Sequence, residues 1–258
     1  MKIRAILTDL DGTLLEPDGT TRPEARAALA VAARAGIPVC PVSSKTVPEL
    51  LALRCDPGLT DPGGFENGAG ILDQDGVWRL GPRAVPYRDL GALLEDMRRR
   101  TGAPVRALHE LGDRELAELT GLPVHALAAV RDRQATLPLL VDPAWDVRLA
   151  EALPEHPGTR LVRGNRFLHL QGRHDKQDVV AMLLEGIGMR SGRVVALGDA
   201  PNDAGLLAAA DVAVIVPGER GPNPVLVERL PGARVAPHPH GLGWAAVVLE
   251  LVQQAGPQ

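Results

Sequence analysis

The sequence predicts an α/β fold, a Rossmann-like parallel-sheet core with a smaller inserted α/β cap domain. Apolar, strand-like runs at 3–8, 37–42, 193–197 and 212–216 alternate with helical stretches. That alternation builds parallel sheets with right-handed crossovers. Acidic or hydroxylated residues follow several of these runs, at the strand ends where open parallel sheets bind ligands. From about residue 83 to 170 the rhythm changes to helices interleaved with other strands, as expected of an inserted unit. The expected units are 1–82 with 171–258 for the core, and 83–170 for the cap.

Each element has a local reason. Ile3 to Thr8 is a short apolar run with β-branched members, a buried strand. Pro23 opens a helix at its first turn, and the alanine-rich run continues until Gly36. Ile37–Val42 is a second strand, ending in Ser43-Ser44-Lys45-Thr46, and Val47–Arg54 is a short helix. Gly63–Asn67 leads into a hairpin of Ile71–Leu72 with Val77–Leu80 around Asp75-Gly76. In the inserted unit, helices are expected at 88–101, 113–120, 123–132 and near 144–153, with a strand at Thr136–Val141. Strands at 159–163 and 166–170 flank the turn pair Gly164-Asn165. The core resumes with a helix at 175–187 and the strand Arg193–Leu197, followed by Gly198-Asp199-Ala200-Pro201-Asn202-Asp203 and a helix to about Ala210. Strand Val212–Val216, a Pro/Gly-rich loop at 217–241 and a helix at 242–254 complete the chain.

Composition narrows the function classes. The 258 residues carry a net charge of −4, which supplies no basic footprint for nucleic acid. No apolar run approaches the ~20 residues of a membrane span, and no signal-peptide segment precedes the first strand. Cys40 and Cys55 lack CxxC spacing and are expected to be reduced, so the chain reads as cytoplasmic. His238 and His240 read as loop residues, and Trp78, Trp145 and Trp244 as core or interface aromatics. Of 28 basic residues only Lys2, Lys45 and Lys176 are lysine. In an arginine-biased chain, a lysine marks a place for a compact point charge that the guanidinium fork does not suit.

The chemistry begins at Asp9 and Asp11, spaced i, i+2 at the end of the first strand and followed by Gly12-Thr13-Leu14. Two carboxylates about 4 Å apart repel by roughly 4 kcal/mol at an effective dielectric near 20. A cation, a shared proton, or both relieve that repulsion, and oxygen-only ligands favour a hard ion such as Mg²⁺. An Asp-Gly turn ending a strand is the competing structural explanation.

Four elements now stand in order at strand ends or beside them: Asp9-Leu10-Asp11-Gly12-Thr13, Ser43, Lys176 and Gly198-Asp199-x-x-Asn202-Asp203. Together they resemble the four signature motifs of the haloacid dehalogenase superfamily of phosphatases. The resemblance implies that Asp9 is the nucleophile, forming an aspartyl-phosphate, and that Asp11 protonates the leaving alkoxide and later activates water. It further implies that Ser43 and Lys176 bind the phosphoryl group. Mg²⁺ would be held by Asp9, Asp199 and the backbone carbonyl of Asp11, and Asp203 would support the metal shell or Lys176. Asn202 falls in the same motif and is expected at the substrate.

Only 31 residues separate Asp11 from Ser43, whereas 132 lie between Ser43 and Lys176, so the insertion follows the second motif. That placement resembles the α/β-capped branch, rich in sugar phosphatases. Finer similarity is to the mannosyl-3-phosphoglycerate phosphatase family, carried by Val42-Ser43-Ser44-Lys45-Thr46, Phe65-Glu66-Asn67-Gly68-Ala69, Leu119-Thr120-Gly121-Leu122 and Gly164-Asn165-Arg166-Phe167-Leu168-His169. It implies a Mg²⁺-dependent phosphatase that converts mannosyl-3-phosphoglycerate to mannosylglycerate and phosphate, acting as a monomer or homodimer on a small sugar phosphate. Alternatives are another sugar phosphate such as glucosyl-3-phosphoglycerate, a phosphomutase on the same scaffold, and a non-catalytic sugar-phosphate-binding module. Lys45, beside the phosphate site, is expected to contact substrate. The cap departs from the family at Arg131-Asp132-Arg133-Gln134-Ala135-Thr136, where the family's Arg-Glu-Tyr has become Arg-Asp-Arg. Arg131, Arg133, Arg166 and His169 remain candidates for a glycerate carboxylate, because arginine forks match carboxylates bidentately.

Overall fold

The computed structural model describes residues 2–55, 58–153, 158–163, 167–188 and 191–255. Strand β1 (Ile3–Thr8) is followed by helix α1 (Pro23–Arg34), β2 (Val39–Pro41) and α2 (Val47–Leu53). Pro23 stands at the first turn of α1, where its missing N–H costs nothing. Thr46 caps α2 in a reciprocal box with Glu49. Three short strands come next, β3 (Gly63–Phe65), β4 (Gly70–Leu72) and β5 (Trp78–Leu80), forming a small antiparallel sheet.

Helix α3 (Tyr87–Thr101), β6 (Arg106–Ala107), α4 (Asp113–Thr120), α5 (Leu127–Arg131), β7 (Thr136–Leu140), α6 (Asp146–Ala152), β8 (Thr159–Arg163) and β9 (Leu168–Gly172) then make a second α/β layer. The chain returns through α7 (Val180–Gly186), β10 (Arg193–Gly198), α8 (Ala204–Ala208), β11 (Val212–Ile215), α9 (Pro224–Arg229), β12 (Arg234–Val235) and α10 (His240–Ala255).

The main sheet has the order β12-β11-β10-β1-β2 and every pairing is parallel. Ala5 and Leu7 of β1 pack with Val180 and Leu183 of α7 and Ala204 and Leu207 of α8. Ile6 joins Ala28 and Ala32 of α1 and Trp244, Val248 and Leu251 of α10. Both faces are covered, so the central strands are apolar almost throughout. β1 and β10 run side by side from Ile3 with Arg193 to Thr8 with Leu197. The residues after each strand therefore emerge together, which brings Asp9 next to Asp199.

The inserted layer is built on a four-stranded antiparallel sheet of order β6-β7-β9-β8. Leu137, Leu139, Leu168 and Leu170 pack one face against Leu90, Leu94 and Met97 of α3 and Leu149 of α6. Alternation leaves Thr136, Pro138, His169 and Gln171 on the opposite face. The fold class is the one expected from the sequence, a parallel-sheet core carrying a smaller α/β insertion.

The structure departs from the local expectations in several places. The stretch 217–241 is not wholly loop: it holds α9, started by Pro224 and capped by Asn223, and the edge strand β12. Gly63–Phe65 forms a strand despite its two glycines, because the backbone must approach Pro41, Val42 and Val179 closely. The helices expected at 123–132, 144–153 and 175–187 each begin as a 3₁₀ turn before becoming α-helical. Trp244 is fully buried, but Trp78 is partly exposed, with its ring edge-on to Phe65. Gly164-Asn165 lies outside the described residues. Cys40 and Cys55 are both free thiols. Among the described residues, no helix is long and apolar enough to cross a membrane.

Candidate active site

The site starts where β1 ends. Asp9 N–H donates to the Leu197 carbonyl at 2.9 Å, the last inter-strand bond before the chains diverge. Leu10 to Leu15 then fold into a tight turn, with Thr13 and Leu15 N–H both bonded to the Leu10 carbonyl. Gly12 has φ +90°, and a Cβ there would lie 2.8 Å from Asp199 Oδ2, so only glycine fits. Behind the turn, the Thr8 hydroxyl donates to the Asp9 carbonyl at 2.7 Å and accepts from Trp244 Nε1 at 2.9 Å. His240 Nδ1 lies 2.9 Å from the Gly12 carbonyl oxygen.

Three carboxylates converge on this end of the sheet. Asp9, Asp199 and Asp203 each present an oxygen within 4.8 Å of the others. The ammonium of Lys176 lies among them, donating to Asp9 Oδ1 at 2.5 Å and to Asp203 Oδ1 at 2.5 Å. Lys176 is almost fully buried, as are Asp9 and Asp203. Asp203 Oδ2 accepts from the backbone N–H groups of Asp199 and Ala200, which fixes it in the turn before α8. Asp199 is oriented by the Thr13 hydroxyl, 3.0 Å from its Oδ1. Lys176 is held in place from the other side: Asp175 caps its turn, and Gly68, at φ +86°, packs so tightly on the Asp175 carbonyl that a Cβ would overlap it.

The electrostatics derive from burial. Three carboxylates against one ammonium leave an excess negative charge in a poorly solvated centre. Burial pushes the Asp9 carboxyl up to about 8; the Lys176 charge opposes that shift, and Asp203 and Asp199 add to it. Asp199 is also raised, by burial and then by the Asp203 charge. Lys176 is raised: burial acts against its charge, but Asp203 and Asp9 more than compensate. An all-oxygen cluster whose anionic forms are this short of counter-charge fits a divalent cation, with Asp9, Asp199 and Asp203 as the available side chains.

Ser43 is fully buried at the end of β2, with its N–H on the Gly64 carbonyl and its carbonyl accepting from Asn67 N–H. Its Oγ accepts from Lys45 N–H at 3.3 Å. Asp11 is half exposed and pairs with Lys45 Nζ at 2.9 Å. Burial lowers the Lys45 pKa, but the Asp11 and Glu49 charges give a net rise. Asn202 donates to Asn67 Oδ1 at 3.1 Å, at the rim.

The strands and their following turns thus gather Asp9, Ser43, Lys176, Asp199 and Asp203, with Asp11, Lys45 and Asn202 around them. Arg131 is elsewhere: its guanidinium donates to Asp113 at 2.6 Å and to the Leu111 carbonyl at 2.8 Å, within the inserted layer. Arg166 lies outside the described residues.

Sequence reasoning missed three side chains. Thr13 and His240 orient the Asp9 turn, and nothing in the Pro-His-Pro-His run signalled that His240 folds back onto Gly12. The third is Glu66. It is fully buried on the turn after β3, yet its carboxylate crosses to the inserted layer. It accepts from Gln134 N–H at 2.5 Å, Ala135 N–H at 3.1 Å and the Thr136 hydroxyl at 2.6 Å. Glu66 N–H donates to the Lys45 carbonyl, so this one residue links the loop after β2 to β7. A second tie runs from the Thr46 hydroxyl to the Ala129 carbonyl at 2.8 Å.

Residues 6–101 match the family described as haloacid dehalogenase-like hydrolase. Over 265 residues the chain is 26% identical to a glucosyl-3-phosphoglycerate/mannosyl-3-phosphoglycerate phosphatase of Persephonella marina, covering 96% of this chain and 97% of that relative. A protein of the same description from Methanococcoides burtonii is 27% identical over 267 residues, covering 96% of each. Among solved structures, BT1666 of Bacteroides thetaiotaomicron, described as a phosphatase of the haloalkanoate superfamily, superposes with a TM-score of 0.74 at 19% identity, covering 98% of this chain and 96% of that one. Thermoplasma acidophilum 0175 gives 0.74 at 20% identity, covering 98% and 99%. At these identities the solved structures share the fold.

Proposed function

We propose, on the premise that this chain belongs to the haloacid dehalogenase-like hydrolases and is a phosphatase, that it hydrolyses mannosyl-3-phosphoglycerate and its glucosyl counterpart to the glycosylglycerate and phosphate. The glucosyl substrate stands beside the mannosyl one because both relatives carry both names. The observation that carries the chemistry is the buried cluster of Asp9, Asp199 and Asp203 around Lys176, at the end of the sheet where Ser43 and Asp11 also lie.

Asp9 attacks phosphorus, the bond to the glycerate oxygen breaks, and an aspartyl-phosphate forms. Asp11, outside the cation-facing cluster and more exposed, donates the proton that the departing alkoxide needs, then takes a proton from the attacking water. Lys176 and the Ser43 hydroxyl hold the phosphoryl oxygens, and Lys176 also keeps Asp9 oriented. Lys45 guides Asp11 or the substrate's second anionic group. Asn202, at the rim with Asn67, contacts the bound ester. Asp9, Asp199 and the Asp11 carbonyl, with Asp203 in support, would hold Mg²⁺, which would supply neutralisation of the charge on the transferred group.

The unit 83–170 serves as the cap. Arg131 supports it through Asp113 and the Leu111 carbonyl, and Arg166 is kept as a candidate for the substrate on its sequence alone. Ties from Glu66 and Thr46 hold it over the phosphate loop, where closure excludes water. The two free thiols suit a cytoplasmic enzyme, and a monomer or homodimer is the assembly proposed.

The test is phosphate release from mannosyl- and glucosyl-3-phosphoglycerate with Mg²⁺, for the natural chain and Asp9→Asn. Turnover by the natural chain and its loss in Asp9→Asn is the expected result. Substantial activity of Asp9→Asn overturns the nucleophile. Isomer formation without phosphate release overturns hydrolysis in favour of a mutase.

A further inference from the structure

The cap's departure at Arg133 has a structural counterpart. Arg133 is nine-tenths buried, and its Nη1 donates to the Thr136 hydroxyl at 2.7 Å while lying 3.9 Å from Glu66 Oε2. Its Nε is buried with no hydrogen-bond partner among the described residues. On the same sheet face as Thr136, His169 Nδ1 is buried and also unpartnered. Burial, then the charges of Arg133 and Arg163, keep the His169 ring neutral, with a pKa of about 3. A buried guanidinium N–H is thus left without an acceptor beside a buried imidazole nitrogen that donates in its Nδ1–H tautomer, a cost that a bound anion removes.

The position suits one particular anion. Glu66 touches Arg133 through its carboxylate and Lys45 through its backbone N–H, so Arg133 stands one side chain away from the loop that carries Ser43 and Lys45. A glycosyl-3-phosphoglycerate carries its carboxylate on the same three-carbon unit as its phosphate, so whatever reads that carboxylate must stand next to the phosphate site. A guanidinium presents a fork to a carboxylate, and Arg133 engages Glu66 and Thr136 only through Nη1, leaving the Nε side for a ligand. Arg131 is already committed to Asp113 and Leu111.

We propose that Arg133 is a specificity-determining residue, taking the glycerate carboxylate of the substrate through its free Nε side with His169 Nδ1 as a second donor, and that Glu66 holds it there. This rests on reading the substrate as a glycosyl-3-phosphoglycerate.

The experiment compares glucosyl-3-phosphoglycerate with the analogue whose carboxylate is reduced to a hydroxymethyl group. p-Nitrophenyl phosphate serves as a reference for the catalytic centre. The natural chain favours the acid. Arg133→Met raises KM for the acid about 30- to 100-fold, the size of a lost charged hydrogen bond, with kcat little changed. It shifts the reduced analogue and p-nitrophenyl phosphate less than about threefold, the scale of a neutral surface change. Arg133→Lys restores part of the preference, because it returns the charge without the fork. A natural chain that does not distinguish the two esters overturns the substrate class itself. A natural chain that does, with an Arg133→Met variant that distinguishes them equally well, overturns Arg133 alone. Equal loss on all three substrates in both variants also overturns it, by making Arg133 a structural residue.

Discussion

His240 Nδ1 lies 2.9 Å from the carbonyl oxygen of Gly12, although 228 residues separate them in the chain. The contact joins the start of α10 to the turn that aims Asp9 and Asp11. His240 sits at φ +48°, a conformation that non-glycine residues rarely adopt. Its side-chain contact is the visible return on that backbone cost. His240→Ala removes the contact and leaves the Gly12 carbonyl less well satisfied. The expected cost is about 1–2 kcal/mol of stability, read from the urea midpoint. A fall in kcat of about tenfold, from a loosened Asp9 turn, is expected beside it. Unchanged kcat in a folded variant would show that the ring supports the helix end but not the turn.

Lys176 has two buried carboxylate partners and no solvent to replace it. Lys176→Met fills the space but strands Asp9 and Asp203. Breaking a buried ion pair from one side costs about 3–5 kcal/mol, so the variant should be strongly destabilised by thermal melting. Added Mg²⁺ should recover part of that loss, because a cation can take over some of the missing charge. Phosphatase activity should fall at least ~10²-fold, as when a charge-stabilising donor is removed from other active sites.

The pH dependence of stability separates two groups of residues. Asp9, raised from 3.8 to about 8, binds a proton in the folded state that the unfolded chain has released. Stability of ion-free protein therefore falls as pH rises through that interval. His169 and His174 act in the opposite direction. Burial lowers them from 6.5 to about 3 and about 4, so their contribution is present above pH 6.5 and lost as pH falls towards the folded values. Between pH 6.5 and 8 only the carboxylate effect remains. Melting of EDTA-treated protein should occur at progressively lower temperature across that window, and Mg²⁺ should abolish the trend. A flat profile without metal would mean that Asp9 is ionised throughout and that its burial is better compensated than its neighbours suggest.

Glu66→Gln tests the tie between the two layers. The amide keeps the shape, but its NH₂ cannot accept from Ala135 N–H or the Thr136 hydroxyl. Loss of charged hydrogen bonds predicts a cost of about 1.5–3 kcal/mol, read from the denaturant midpoint. On the proposed reading of the inserted layer, turnover of a glycosyl-3-phosphoglycerate should drop further than turnover of the small ester p-nitrophenyl phosphate. Parallel loss on both substrates would place the role of Glu66 in the core loop.

Much of the site was legible because its residues sit at strand ends. A short apolar run announces a strand, and a parallel sheet gathers the residues just past its strands along one edge. Asp9, Ser43 and Asp199 could therefore be grouped by their place at strand ends and by the motif resemblance, and the scarcity of lysine drew attention to Lys45 and Lys176. The structure pairs both of those lysines with carboxylates of the site. β12 and α9 were missed because Pro and Gly dominate the local composition, while the edge position and the Asn223 cap decide the conformation.

The amino-acid sequence by itself determined the alternating elements, the order of the four motifs and the place of the insertion, all of which depend on local pattern and spacing. Only tertiary structure decided that Asp11 pairs with Lys45 while Asp9 pairs with Lys176, and that Glu66, His240 and Thr13 support the site. It also decided which cap arginine is spent on internal ion pairing and which keeps a free donor. The reason is physical. Periodicity and turn chemistry act between near neighbours, whereas a buried charge takes its partners from whatever residues the packing brings within hydrogen-bond reach.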